Sequence, residues 1–275
     1  MKKITLITLT IILVATMMLG FVGCATATVQ DQLRNIWRPY EKYVYSVIGN
    51  GEEGVYTVEI IRNTEKNVTI GDITLENVGE GYIINNTLEI GGKTHLASCY
   101  MQKTNGASLF VPIASYTKRP SGDYETVVSG KYEGKNFNYT VTEYGAPRDE
   151  SITLKAPYYD NNQIHQLLRS VNSMSTLNFH FNVPIATEKE LASLSATYKN
   201  NVDITWGADE TITKCNEINL SRSTKVGGMS QVLYYAVDPI KVNGWELKNV
   251  LVRFKEPLGV DDFMVYTLVS ISLEA

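Results

Sequence analysis

Residues 156–171 read APYYDNNQIHQLLRSV, and the way this stretch folds decides the architecture of the chain. Ile164, Leu167, Leu168 and Val171 fall at i, i+3, i+4 and i+7, the spacing that aligns one apolar face of a helix. Asp160 is placed to cap that helix, and Gln163 three residues on completes a capping-box-like arrangement. Tyr159 and Ile164 are placed as a hydrophobic staple across the same turn. A short helix is expected here.

On either side of it the period is two. Tyr56, Val58 and Ile60 alternate with Thr57 and Glu59, and Phe137, Tyr139 and Val141 alternate with Asn138 and Thr140. Leu177, Phe179, Phe181 and Val183 alternate with Asn178, His180 and Asn182. Near the end, Phe263, Val265, Val269, Ile271 and Leu273 are expected on one face, opposite Ser270, Ser272 and Glu274. Such alternation marks antiparallel strands with one face packed and one wet.

Turn signals punctuate the strands at Gly49-Asn50-Gly51, Gly91-Gly92, Asn105-Gly106, Glu133-Gly134, Gly227-Gly228 and Asn243-Gly244. Asn243-Gly244, between Val242 and Trp245, is the strongest hairpin signal. After it the apolar phase slips from Trp245 and Leu247 to Val250, Val252 and Phe254, which predicts a β-bulge near Asn249. No Pro- or Ser-rich linker divides the strands of 37–155 from those of 176–275. The expected fold is therefore mainly β: one long curved antiparallel sheet, half-barrel-like, with one short helix packed on it.

The N-terminus speaks of export. Met1-Lys2-Lys3 is basic, and Ile4 to Val22 is almost wholly apolar or Thr, the order of a signal peptide. The run is also long enough to span a bilayer, so an uncleaved anchor is the competing reading. Phe21-Val22-Gly23-Cys24 resembles the bacterial lipobox, in which the leader is removed before Cys and the Cys thiol is acylated; Phe21 stands where Leu is usual. The resemblance implies a lipoprotein signal peptide over 1–23 and a lipidated Cys24 with a tether over 24–36. A single β-rich extracytoplasmic domain over 37–275 would follow, held at the outer face of the cell membrane. Acyl chains contribute about 0.8 kcal/mol per buried CH₂, so two or three of them make a lasting anchor.

The body resembles the uncharacterised bacterial envelope family that shares the half-barrel fold of the periplasmic lipoprotein carrier and its receptor. The residues that carry this are Tyr158-Tyr159-Asp160-Asn161 leading into Leu167-Leu168-Arg169. Val252-Arg253-Phe254-Lys255-Glu256-Pro257-Leu258-Gly259, before the last strand, adds to it. The resemblance implies a curved sheet whose apolar concave face can hold acyl chains, with Phe137, Tyr139, Phe179 and Phe181 as residues of that face. A concave face filled by the protein's own side chains is the alternative.

Composition narrows the function further. The formal net charge is −4, and an acidic body carries no electrostatic footprint for nucleic acid. With Cys24 lipidated, Cys99 and Cys215 remain as a candidate disulfide, two separate buried thiols being the alternative. His95, His165 and His180 have no Cys, His or Asp at metal-ligand spacing, so neither metal nor cofactor is expected. All three are read as surface histidines, with His165 able to pair with Arg169 four residues on. Ser115-Tyr116-Thr117-Lys118 matches the S-x-x-K of penicillin-recognising enzymes, but in an extended context without S-D-N or K-T-G. Glu52-Glu53 and Asp261-Asp262 sit beside turn glycines as solvated pairs, and the 17 tyrosines favour strand packing or an aromatic contact surface. The expected function is a non-enzymatic lipoprotein that binds a lipid, another hydrophobic ligand or an envelope protein. A surface module contacting protein or glycan is the alternative, and a hydrolase is the least favoured.

Overall fold

The structure, a computed structural model, describes residues 33–103, 110–222, 230–259 and 262–274. The leader, Cys24, the turn signals Asn105-Gly106 and Gly227-Gly228, and Asp261 lie outside the described residues.

The first half of the chain forms β1 (Tyr40–Gly49), β2 (Glu52–Asn63), a small hairpin of β3 (Val68–Ile70) and β4 (Ile73–Leu75), then β5 (Gly81–Ile90) and β6 (Lys93–Lys103). It continues with β7 (Phe110–Ser121), β8 (Tyr124–Glu133), β9 (Asn136–Glu143) and β10 (Ala146–Thr153). The second half forms β11 (Asn178–Ile185), β12 (Glu190–Trp206), β13 (Thr211–Arg222) and β14 (Ser230–Ala236). A second small hairpin of β15 (Ile240–Val242) and β16 (Trp245–Leu247) precedes β17 (Leu251–Pro257) and β18 (Phe263–Glu274).

Fourteen of these strands make one antiparallel sheet in the order β10-β9-β8-β7-β6-β5-β2-β1-β18-β17-β14-β13-β12-β11. Tight turns dictate most of that order. Asn50 and Gly51 between β1 and β2, and Gly91 and Gly92 between β5 and β6, have positive φ, the backbone whose twist suits a two-residue hairpin; Asn243 and Gly244 do the same for the separate β15–β16 ribbon. The two halves then join where the first strand meets the last, with Tyr40 opposite Glu274 and Ile48 opposite Val265. This leaves β10 and β11 as the sheet's two edges, and the chain between them is the helical stretch.

The sheet curls until those edges nearly meet. Exposed edges recruit unwanted strands, and here the connecting segment covers β11. Asn182 N donates to Pro157 O and Tyr159 N to Asn182 O, each at 2.9 Å. Across the seam, Lys189 pairs with Glu150, and Tyr139 donates its hydroxyl to the Ala186 carbonyl at 3.1 Å.

The helix forms at the expected place, with a modified start. Asp160 Oδ1 accepts from Asn162 N at 2.8 Å, capping a 3₁₀ turn over Asn161–Gln163 that leads into α1 (Ile164–Arg169). The capping box does not form, because buried Gln163 turns its amide towards the Phe110 carbonyl oxygen, 3.5 Å away. Ile164, Leu167, Leu168 and Val171 are all buried. The segment lies within the barrel, touching inward-facing residues of opposite walls: Glu41 on β1, Asn86 on β5 and Tyr235 on β14.

Two expectations are corrected here, and the bulge expected near Asn249 is found three residues further on. β16 pairs with β15 in a separate ribbon, and the chain enters the main sheet at Leu251. There the register shifts, with Tyr235 facing Leu251 but Tyr234 facing Arg253, so Val252 is the extra residue. Another bulge occurs in β18, where Tyr45 faces Leu268 but Val44 faces Ser270. Val269 is the extra residue, so Phe263 and Val265 lie on the face opposite to Ile271 and Leu273. Cys99 and Cys215 are free and fully buried. They sit on the fifth and twelfth of fourteen strands, across the barrel from one another, whereas a disulfide needs Cα atoms about 5.5 Å apart.

Candidate functional site: a lumen open at one end

The helix fills only part of the interior. Beyond it the barrel keeps a cavity of about 800 Å³. Its walls include Tyr56, Leu88, His95, Arg119, Thr126, Glu256 and Pro257 on one side and, on the other, the β11–β12 connection with Glu188 and the end of β13 with Leu220 and Arg222. Its floor is the turn before α1 and the first residues of α1, with Asp160, Asn162, Ile164 and His165.

Strand alternation chooses which side chains enter. On β7, Ser115, Thr117 and Arg119 line the lumen, while Lys118 points outward and pairs with Glu125 at 2.8 Å. The S-x-x-K residues thus lie on opposite faces of one strand, and the acylation pair is not assembled.

The floor is rich in hydrogen bonds. Asp160 is 2% exposed; its Oδ2 accepts from the Tyr132 hydroxyl at 2.7 Å. Burial pushes its carboxyl above the usual 3.8, with the hydrogen bonds from Tyr132, Ser115 and the Asn162 backbone working the other way. Asn162 donates its amide to Ser115 Oγ at 3.2 Å, and its carbonyl accepts from Asn86 at 3.1 Å. Asn86 in turn accepts from the Tyr56 hydroxyl at 2.9 Å.

One wall carries a chain of polar contacts. Tyr266 donates to Glu256 Oε2 at 3.1 Å, Gln231 Nε2 to Glu256 Oε1 at 3.2 Å, and Gln231 Oε1 lies 2.9 Å from His165 Nε2. A carboxylate only accepts, so the Gln231 oxygen faces the imidazole and Nε2 of His165 carries a proton. Burial lowers the His165 pKa below 6.5, partly offset by the Gln231 contact and by Glu256. His165 is therefore a lumen residue, and it does not pair with Arg169. That guanidinium reaches the other way, to Glu41 at 2.8 Å. Next to this chain is an aromatic wall, with Phe254 stacked on Tyr266 at 4.0 Å and the His165 ring 4.6 Å from Phe254.

Of the four residues expected on a ligand face, Phe137 lines the lumen. Tyr139 is committed to the seam. Phe179 and Phe181 are packed against Tyr159, with ring centroids 6.1 and 5.9 Å away, so they belong to the core. The connecting segment over β11 separates them from the cavity. His95 lines the mouth of the lumen and is partly exposed, and His180 is exposed. Tyr56, Leu88, Gln231, Phe254, Glu256 and Tyr266 were missed as lumen residues. The alternation of Tyr56 and Phe254 was visible, but not the height to which α1 would fill the barrel.

No protein-family profile and no curated protein matches the sequence. The architecture is similar to the crystal structure of a β-barrel-like protein of a domain of unknown function, DUF1849, from Brucella abortus. The TM-score is 0.53 at 9% identity, over 88% of this chain and 100% of that one. The two share a β-barrel-like fold. At that identity the likeness speaks for fold alone, and function has to be argued from the site.

Proposed function

We propose that this chain is a membrane-anchored, extracytoplasmic, non-enzymatic lipoprotein whose barrel holds one small hydrophobic or amphiphilic ligand. The observation that carries the reading is the lumen of about 800 Å³, floored by α1 and open at one end. That size falls within the roughly 300–1,000 Å³ of small-molecule sites, which combine apolar walls with a few placed polar groups. The aromatic wall of Tyr56, Phe254 and Tyr266 and the floor around Asp160 and Asn162 have that character. An open lumen favours ligand binding over a surface module with a sealed core. Ser115 contacts Asn162 while His165 faces Gln231, which speaks against the nucleophile–base pair that a hydrolase uses.

Photo-crosslinking tests the lumen. A diazirine fatty acid supplied to membranes holding the full chain should form adducts on lumen residues of β2, β5 and β17, such as Tyr56, Leu88 and Phe254. Leu88→Trp, which narrows the cavity, should cut that labelling about tenfold, a loss of roughly 1.4 kcal/mol in binding. Adducts confined to residues outside the lumen would overturn the reading. The anchor rests on Phe21-Val22-Gly23-Cys24 and has its own test. Cys24→Ser should abolish incorporation of radioactive palmitate and leave the leader attached, and a variant still labelled and processed would refute it.

A further inference from the structure

We infer that His95 and Arg119 form an anion site at the lumen mouth, and that the ligand is a single-chain amphiphile with a carboxylate head. This deepens the reading of the lumen as a binding site and rests on it.

The pairing register supplies the geometry. Leu96 pairs with Lys118 at the end of the β6–β7 ladder; one step beyond it His95 and Arg119 are neighbours, both lining the cavity. The flanking positions in that row are Leu88 on β5 and Thr126 on β8. Exposed Arg119 and half-buried His95 are thus neighbours at the rim of the barrel, with no carboxylate between or beside them. Among the described residues neither forms an ion pair. The other arginine that lines the cavity, Arg222, is held by Glu188 and Glu190. Like charges on adjacent strands are destabilising, so Arg119 disfavours a second positive charge on His95, and an incoming oxyanion would offset that penalty.

The chemistry of the two groups fits a carboxylate. A guanidinium presents parallel N–H donors that match its two oxygens. The His95 imidazole adds a further donor from the neighbouring strand. Burial, Arg119 and Lys93, in that order, lower the His95 pKa in the empty site, so an arriving anion also favours proton uptake there. With the head held at the mouth, the chain extends over Leu88 and Tyr56 towards Phe254 and Tyr266.

The test compares palmitate with its methyl ester as competitors of diazirine labelling, using the full chain in phospholipid nanodiscs. The acid should compete about tenfold better than the ester, as expected for a charge-assisted hydrogen-bonded pair. Arg119→Gln should abolish that preference by weakening competition by the acid, and Arg119→Lys should retain part of it. Equal competition by acid and ester, or an undiminished acid preference in Arg119→Gln, would overturn the anion site and leave the lumen reading standing. If neither compound competes for the lumen, the binding reading falls, and the anion site with it.

Discussion

Arg169 shows how one residue can set the position of the helix. It is 1% exposed and its partner Glu41 is 0% exposed. Nη1 of Arg169 donates to Glu41 and to Gln166 Oε1 at 3.0 Å, and the guanidinium lies 4.8 Å from the centre of the Tyr43 ring. Glu41 also accepts from the Tyr43 hydroxyl at 2.5 Å and from Arg38 N at 2.7 Å. Nε and Nη2 of Arg169 are buried without partners, so the pair gives orientation more than net stability. Removing one member of a buried pair strands the other, at a cost of about 3–5 kcal/mol. Arg169→Met should lower urea stability by that amount, and adding Glu41→Gln should recover much of it. A single variant as stable as the parent would show that the pair does not hold α1. Nothing in the sequence singled out this contact, because its members are 128 residues apart.

At the scale of the element, α1 has only six residues, and isolated helices shorter than about 12–15 residues are marginal in water. Two caps and its surroundings hold it. Asp160 at the N-terminus was legible, since a capping residue acts on its own neighbours. Asn249 at the other end was not: its Nδ2 donates to the carbonyls of Arg169 at 2.8 Å and Val171 at 2.9 Å, from 80 and 78 residues away. Asn249 has φ +48°, so Asn249→Gly keeps the backbone comfortable and removes only the amide. Stranding buried carbonyls costs about 1–3 kcal/mol, and thermal melting of the variant should show a loss in that range; an unchanged melt would assign the cap no energetic role. Strand β18 shows the same limit. Its apolar residues were legible, but the bulge at Val269 follows from pairing with β1 and reverses the face of everything before it.

At the scale of the molecule, the sequence by itself determined the class of fold. Period-two stretches, glycine and asparagine turns and one i, i+3, i+4 segment are local signals. Antiparallel hairpins follow from them because a tight turn brings back the strand it has just released. Tertiary structure alone decided that the first strand joins the last, that the helix lies inside the barrel and that an open lumen remains above it. It also placed Cys99 and Cys215 on opposite walls and turned Phe179 and Phe181 from ligand face to core. The physical reason is that alternation tells a strand which side chains avoid bulk water, and a helix or an open cavity can equally well receive them. What fills the space opposite is settled by barrel closure and by contacts such as Tyr45 to the Leu251 carbonyl, 206 residues apart, which no local pattern encodes.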